Sequence, residues 1–341
     1  MGETATMEQR SLGQSLAVSR IALGTMTFGA ESDEAAAREI LDTFVAAGGT
    51  LIDTADVYAH GVSERWIGAW LRARPGVRDR TVLVTKGRFP MPEQPGASLS
   101  RAYLRAALEA SLRRLDVDHV DVYLAHGPDR STPMEELAAF FAEAVATGKA
   151  RHVGVSNLPG WQIAKLAVLL EHQGGPRLLV HQPQYNLLAR EVEWEVLPAA
   201  RDAGVQAIVW GPLAAGWLTG KYQRGAAPPQ GSRLGDDPTR GIEAWDRRDH
   251  PRTWAIVERL SAVAGELGTT PAAAALAWAA DRPGVAAAIV GARTAEQLRD
   301  TLPAAALRLP AEASAALDEV SVPPRPDYPY GFIDDFSVVT S

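Results

Sequence analysis

The stretch VDVYLAHGPDRSTPMEELAAFFAEAVATGKARHVGVS (Val120–Ser156) holds one complete strand–helix–strand unit. VDVYLAH (Val120–His126) and RHVGVS (Arg151–Ser156) are short runs rich in Val, as expected of strands covered on both faces. Between them, Thr132-Pro133-Met134-Glu135 combines a capping residue, a first-turn proline and a capping-box glutamate. ATGK (Ala146–Lys149) then ends the helix on a glycine. A strand, a helix and a second strand at this spacing predict a parallel crossover unit.

The same unit recurs on both sides. Further strands are expected at Ile21–Met26, Thr50–Ala55, Thr81–Lys86, Leu178–Gln184, Val205–Gly211 and Val285–Gly291, which makes eight. AAGG (Ala46–Gly49) and DAGV (Asp202–Val205) repeat the glycine-ended helix, while Thr270-Pro271 and Thr294 with Gln297 repeat the start signals. Eight strands alternating with helices predict an α/β protein, a single (β/α)8 TIM barrel over about 20–302. Residues 303–341 form a C-terminal extension, and the whole chain, 1–341, is read as one domain. Gln9–Ser19, with turn residues Gly13-Gln14, is expected to form an N-terminal hairpin across the barrel bottom. The alternation breaks once, from Leu213 to Arg252, where no sustained period appears. A structureless loop of this length after the seventh strand is expected to cover a substrate or cofactor.

Composition excludes several function classes. The 341 residues carry 34 Lys plus Arg against 41 Asp plus Glu, a formal net charge of −7, with no dense basic stripe. Nucleic-acid binding by phosphate neutralisation is therefore not expected. The absence of cysteine removes disulfides, thiolate nucleophiles, Fe–S clusters and Cys-based zinc sites. The longest uninterrupted apolar run, Ala272 to Ala280, is far too short for a membrane span. The N-terminus lacks the pattern of a signal peptide, and MGETAT, which fits the loose myristoylation motif, has no basic cluster behind it. The chain reads as cytoplasmic. The histidines form no metal-like cluster, and no metal is expected.

Barrel enzymes place their chemistry where strands end. Asp53, Lys86 and His126 stand at the ends of the second, third and fourth strands, with Tyr58 in the loop after Asp53. Any one alone would more often be a cap, a surface charge or a satisfied histidine. Four titratable groups on one rim are harder to ascribe to chance. No G-x-G-x-x-G follows a strand, and Gly216–Lys221 is one residue short of a Walker A loop and is followed by Tyr222.

The segments LIDTADVYAHGVSE, VLVTKG, SLRRLDVDHVDVYLAHGPD, GKARHVGVSN, HQPQYNLL, WGPLAAGWLTGKY and IVGARTAEQL closely resemble the aldo-keto reductases, in order, from about Ser11 to about Leu302. The resemblance implies a catalytic tetrad of Asp53, Tyr58, Lys86 and His126. Tyr58 would give the proton, Lys86 would lower its pKa, Asp53 would hold Lys86, and His126 would orient the carbonyl. It also implies NADP(H) along the barrel mouth. Ser156, Asn157 and Gln182 would bind the carboxamide and Trp210 would stack on it. Gly211, Pro212, Leu213, Ala214 and Lys221, joined by Arg233, would follow the pyrophosphate. Gly291, Ala292, Arg293 and Gln297 would clamp the adenosine phosphate. Thr25, Met26 and Asp53 complete the cofactor set, with Asp300 and Thr301.

Two departures stand out. The family often has Glu-Asn where this chain has Asp300-Thr301, and a small residue commonly stands at the position of His60. Met26, Phe28, Phe89 and Trp217 are the substrate-pocket candidates. The expected activity is NADPH-dependent reduction of an aldehyde or ketone. The alternatives are a reductase of nucleotide-linked deoxysugars, with Arg233, Arg240, Arg247 and Arg248 serving a diphosphate, and a redox-sensing accessory subunit like the beta subunits of voltage-gated potassium channels.

Overall fold

A computed structural model describes residues 7–13, 16–239 and 241–333. Gln14 of the expected turn, the MGETAT segment and Arg240 lie outside the described residues. Eight parallel strands close into a barrel: β3 (Ile21–Gly24), β4 (Leu51–Asp53), β5 (Val82–Gly87), β6 (Val120–Ala125), β7 (Ala150–Ser156), β8 (Leu178–Gln182), β9 (Gln206–Val209) and β10 (Val285–Gly291). Closure is made by β10 pairing with β3, Ala288 opposite Ile21 and Gly291 opposite Gly24. Before them, β1 (Gln9–Leu12) and β2 (Leu16–Ser19) pair antiparallel as the expected hairpin.

The alternation of side chains along a strand decides what the barrel contains. Val82 and Val84, Val122 and Leu124, Val180, Ile208, and Ala287 with Ile289 form one interior cluster. Leu12 and Val18 of the hairpin belong to the same cluster, so the hairpin stops the lower end of the barrel. Continued at period two, these inward rows end at Lys86, His126, Gln182 and Trp210. Gly154 sits in the interior because a Cβ there would lie 2.5 Å from Val180 and 2.7 Å from Leu124.

The other face of each strand, including Leu23, Leu83, Tyr123, Val153 and Val155, packs against the surrounding helices. These helices are α1 (Glu34–Ala46), α2 (Val62–Arg72), α3 (Arg101–Leu115), α4 (Met134–Ala146), α5 (Gly160–His172) and α6 (Val196–Asp202). The start of α4 departs from the expected cap. Pro133 is the capping position, and the Thr132 hydroxyl donates 2.5 Å to Asp129 instead. A carboxylate is the stronger acceptor, so the hydroxyl turns away from the helix. Among the described residues no helix is long and apolar enough to cross a membrane.

The expectation of a structureless loop over Leu213–Arg252 is corrected. The segment contains a 3-10 turn at Ala214–Thr219, α7 (Arg233–Asp236), a second turn at Gly241–Glu243 and α8 (Trp245–Arg248), and its last two residues already belong to α9 (Pro251–Glu266). Trp217 stacks on Trp245 with ring centroids 4.5 Å apart and meets Tyr222 and Trp254 edge-on at 5.2 and 5.5 Å. Scattered aromatics that converge only in three dimensions leave no period in the sequence. Beyond them lie α10 (Pro271–Ala280), α11 (Ala295–Thr301) and α12 (Ala311–Ser321). α12 is fixed by Asp318, which pairs with Arg282 at 2.8 Å and accepts from the Trp278 indole at 2.9 Å.

Candidate active site

The ammonium of Lys86 is fully buried at the upper end of β5. It has three acceptors: Asp53 Oδ2 at 2.8 Å, the Thr54 carbonyl at 2.8 Å and Tyr58 Oη at 3.3 Å. The other oxygen of Asp53 accepts from Gln182 Nε2 at 2.7 Å, and Ser156 Oγ donates to the Gln182 carbonyl at 2.8 Å. One hydrogen-bonded chain therefore runs from Tyr58 through Lys86 and Asp53 to the ends of β8 and β7. The loop carrying Tyr58 turns through left-handed backbone at Ala59, His60 and Gly61, with φ of 46°, 53° and 79°. His60 itself is exposed.

Electrostatics separate the groups. Burial opposes the Lys86 charge, but Asp53 and Tyr58 outweigh it and hold the ammonium above its ordinary range. Burial raises Asp53, against the pull of Lys86 and Gln182. His126 is driven well below the ordinary histidine range by burial, helped by Lys86 and Arg88, so its ring is neutral. Its Nδ1 has no hydrogen-bond partner. The expectation that Tyr58 is lowered overall is corrected. Lys86 does pull it down, but burial is the larger effect, and the phenol lies above its ordinary value. Tyr58 is protonated at neutral pH.

Tyr58 and His126 open onto a cavity of about 880 Å³ that runs from the barrel mouth to the start of α11. Every residue assigned to the cofactor by resemblance lines it: Thr25, Met26, Asp53, Ser156, Asn157, Gln182, Trp210, the run Gly211–Ala214, Lys221, Arg233, Gly291, Ala292, Arg293, Gln297, Asp300 and Thr301. The Trp210 indole is pinned by donating to Asn157 Oδ1 at 2.9 Å. At the far end three cations, Lys221, Arg233 and Arg293, line the wall. An aromatic platform beside the tetrad and a cationic far end fit an elongated anionic dinucleotide.

Some details were not legible in the sequence. Arg293 is already paired with Glu31 at 2.7 Å and with Asp236 of α7 at 3.2 Å. Gln297 lines the cavity, yet its Oε1 accepts from the Arg293 amide at 3.0 Å and so helps form the helix start. Glu243 enters the wall from the long segment, held by Gln184 and by Arg248 at 2.6 Å. Nothing in the local sequence marks Glu31, Gln184 or Glu243, because the pairs Glu31–Arg293 and Gln184–Glu243 join distant parts of the chain. Two substrate-pocket candidates are corrected: Phe28 and Trp217 are fully buried in the core, drawn there by their apolar area. Met26 is exposed on the cavity wall, and the Phe89 ring stands edge-on to His126 at 5.0 Å.

Comparison with known proteins places this closed barrel among the oxidoreductases. The model of the Aldo/keto reductase family matches residues 20–322, and the chain belongs to that family, whose members generally use NAD(P)H. An uncharacterized oxidoreductase of Bacillus subtilis, YrpG, is 36% identical, with 96% of this chain and 99% of the relative covered. A probable voltage-gated potassium channel subunit beta of Arabidopsis thaliana is 34% identical, covering 94% and 99%. Versiconal hemiacetal acetate reductase of Aspergillus parasiticus is 32% identical, covering 93% and 98%.

Proposed function

We propose that the chain reduces an aldehyde or ketone to the alcohol with NADPH, and that Tyr58 is the general acid. The observation that carries this reading is the three-way bonding of Lys86, which binds the Tyr58 hydroxyl on the cavity wall beside a neutral histidine. Trp210, Ser156, Asn157 and Gln182 would hold the nicotinamide end of the cofactor, and Lys221, Arg233 and Arg293 the phosphates. When bound, the cofactor supplies the hydride. The residues supply the rest. His126, neutral, has one N–H to donate to the carbonyl oxygen and so orients and polarises it. As charge builds on that oxygen, Tyr58 gives its proton. A phenol raised by burial still holds that proton at neutral pH, and a forming alkoxide is far more basic than a phenolate. Lys86 then stabilises the tyrosinate left behind, and Asp53 keeps Lys86 in place.

The test is Tyr58→Phe. Turnover of an aldehyde panel should fall by at least about 100-fold with NADPH binding nearly unchanged. Wild-type turnover in the variant would remove Tyr58 from the mechanism. A redox-sensing accessory subunit with slow turnover is the second reading, favoured by the relatives named as channel beta subunits. The wild-type assay separates the two, since sustained multiple turnover speaks for the enzyme. The deoxysugar alternative is weakened, because of its described arginines Arg233 lines the cavity whereas Arg247 and Arg248 do not.

A further inference from the structure

We propose that Arg88 recognises an anionic group on the substrate, so that the favoured carbonyl compound carries a carboxylate or phosphate a few bonds from its reacting carbon. The inference rests on the carbonyl-reduction reading above.

Arg88 stands two residues after Lys86, just past the end of β5. Its guanidinium carbon lies 4.9 Å from the Phe89 ring centroid, and that ring meets His126 edge-on at 5.0 Å. Guanidinium and imidazole are therefore within about 10 Å of each other. The stem of Arg88 passes over Gly127, the residue after His126. A Cβ placed on that glycine would touch Arg88 Cδ and Phe89 Cζ, each at 3.7 Å. The backbone beneath the pair is fixed. The Ser98 amide donates to the Arg88 carbonyl at 3.1 Å, and the Tyr103 hydroxyl donates to the Phe89 carbonyl at 2.8 Å.

What this arginine lacks is a partner. It is half-buried, its Nε is shielded from solvent with no acceptor, and among the described residues no carboxylate pairs with it. The acids of the same two loops are engaged elsewhere. Glu93 pairs with Arg114 at 2.8 Å, while Asp129 accepts from the Leu99 amide at 3.0 Å and from the Ser131 and Thr132 hydroxyls. A half-buried donor left unmatched is costly, and a guanidinium fork suits the paired oxygens of a carboxylate or phosphate.

The cofactor phosphates are not that anion on the proposed reading. In barrel order, β5 and β6 stand across from β9 and β10, which are followed by Trp210 and Arg293. Of the residues on β5, β6 and the loops after them, only His126 lines the cavity proposed for the dinucleotide. Arg88 therefore serves the other reactant. A substrate whose carbonyl oxygen meets Tyr58 and His126 extends past Phe89 to reach the guanidinium. The Arg88 charge already acts on His126 across that gap.

The experiment measures kcat/KM with NADPH for two matched pairs: 4-oxobutanoate against butanal, and glycolaldehyde phosphate against glycolaldehyde. It compares wild type, Arg88→Met and Arg88→Lys. In the wild type the anionic member of at least one pair should be favoured about tenfold or more, mainly through KM. The pair that shows the preference identifies the anion. The ratio within a pair is the readout, because an effect of the substitution on His126 or on NADPH strikes both members alike. Arg88→Met should remove the preference, and Arg88→Lys, which keeps the charge without the fork, should keep part of it. If the wild type favours neither anion, or Arg88→Met retains the wild-type ratio, the proposal is wrong. If Arg88→Met does not fold, a wild-type preference untouched by added salt overturns it equally. Undiminished turnover in Tyr58→Phe would instead defeat the reading of the reaction, and no turnover of any of the four aldehydes defeats both. A normal dependence on Tyr58 with equal use of charged and neutral partners defeats only this inference.

Discussion

An arginine that meets a ligand phosphate is usually pictured as waiting for it, but Arg293 is already engaged. Its guanidinium pairs with Glu31 and Asp236 and donates to the Gly231 carbonyl at 2.9 Å. On the proposed reading it also takes the 2′-phosphate that NADH lacks. A charge-assisted contact contributes about 1.5–3 kcal/mol, or roughly 10- to 150-fold in affinity. With two carboxylates already attached, the preference for NADPH should lie near the low end, about tenfold. Arg293→Ala should weaken NADPH and leave NADH nearly unchanged in direct binding titrations. Equal affinities in the wild type, or equal weakening of both cofactors in the variant, would count against the assignment. Asp300, exposed toward the end of α11, is a lesser influence on that phosphate.

Among the elements, the segment between β9 and α9 departs furthest from its sequence pattern. Period and glycine placement were enough to read the barrel strands, because each strand's identity lies in consecutive residues. Val82, Val84 and Lys86 show this, as do Val122, Leu124 and His126: the inward row ends on the chemical group. The segment after β9 has no such row. Its order comes from Trp217, Tyr222, Trp245 and Trp254, which are spread along the chain and meet only when folded. The pairing of Arg293 with Asp236 was hidden for the same reason. Its lateral position was readable; its internal structure was not. The segment contributes Lys221, Arg233 and Glu243 to the cavity wall, so cofactor should tighten it. Amide exchange over 223–239, away from the aromatic anchor, should slow on adding NADPH, and Trp245→Ala should speed it. Exchange indifferent to NADPH would make this part a mere insertion.

At the level of the whole molecule, buried acids tie stability to pH. Asp56 has an ordinary value of 3.8 and is raised to about 7 in the fold. A raised folded-state value means that the native state binds the proton more tightly than the unfolded chain. Its contribution to stability is therefore full below pH 4 and is lost as pH rises through 7. Between pH 5 and pH 8 the loss from this one group is about 2–3 kcal/mol. Asp56→Asn should remove it, so the stability of the variant relative to wild type should improve by that amount over the same interval. Urea denaturation at the two pH values measures the difference, and an identical pH dependence in both proteins would refute the assignment.

The stacked indoles of Trp217 and Trp245 have an optical consequence. Two such rings at 4.5 Å and 22° share their electronic excitation, which gives paired bands of opposite sign in the ultraviolet circular dichroism spectrum. Both rings lie in the segment that walls the cavity, so their contribution to that spectrum follows the integrity of the wall, and Trp245→Ala isolates it from the other aromatic pairs. Trp210, tethered to Asn157, faces the cavity, and its fluorescence should be quenched when a ligand enters. The stacked pair thus gauges whether the wall is assembled, and Trp210 whether the cleft is filled.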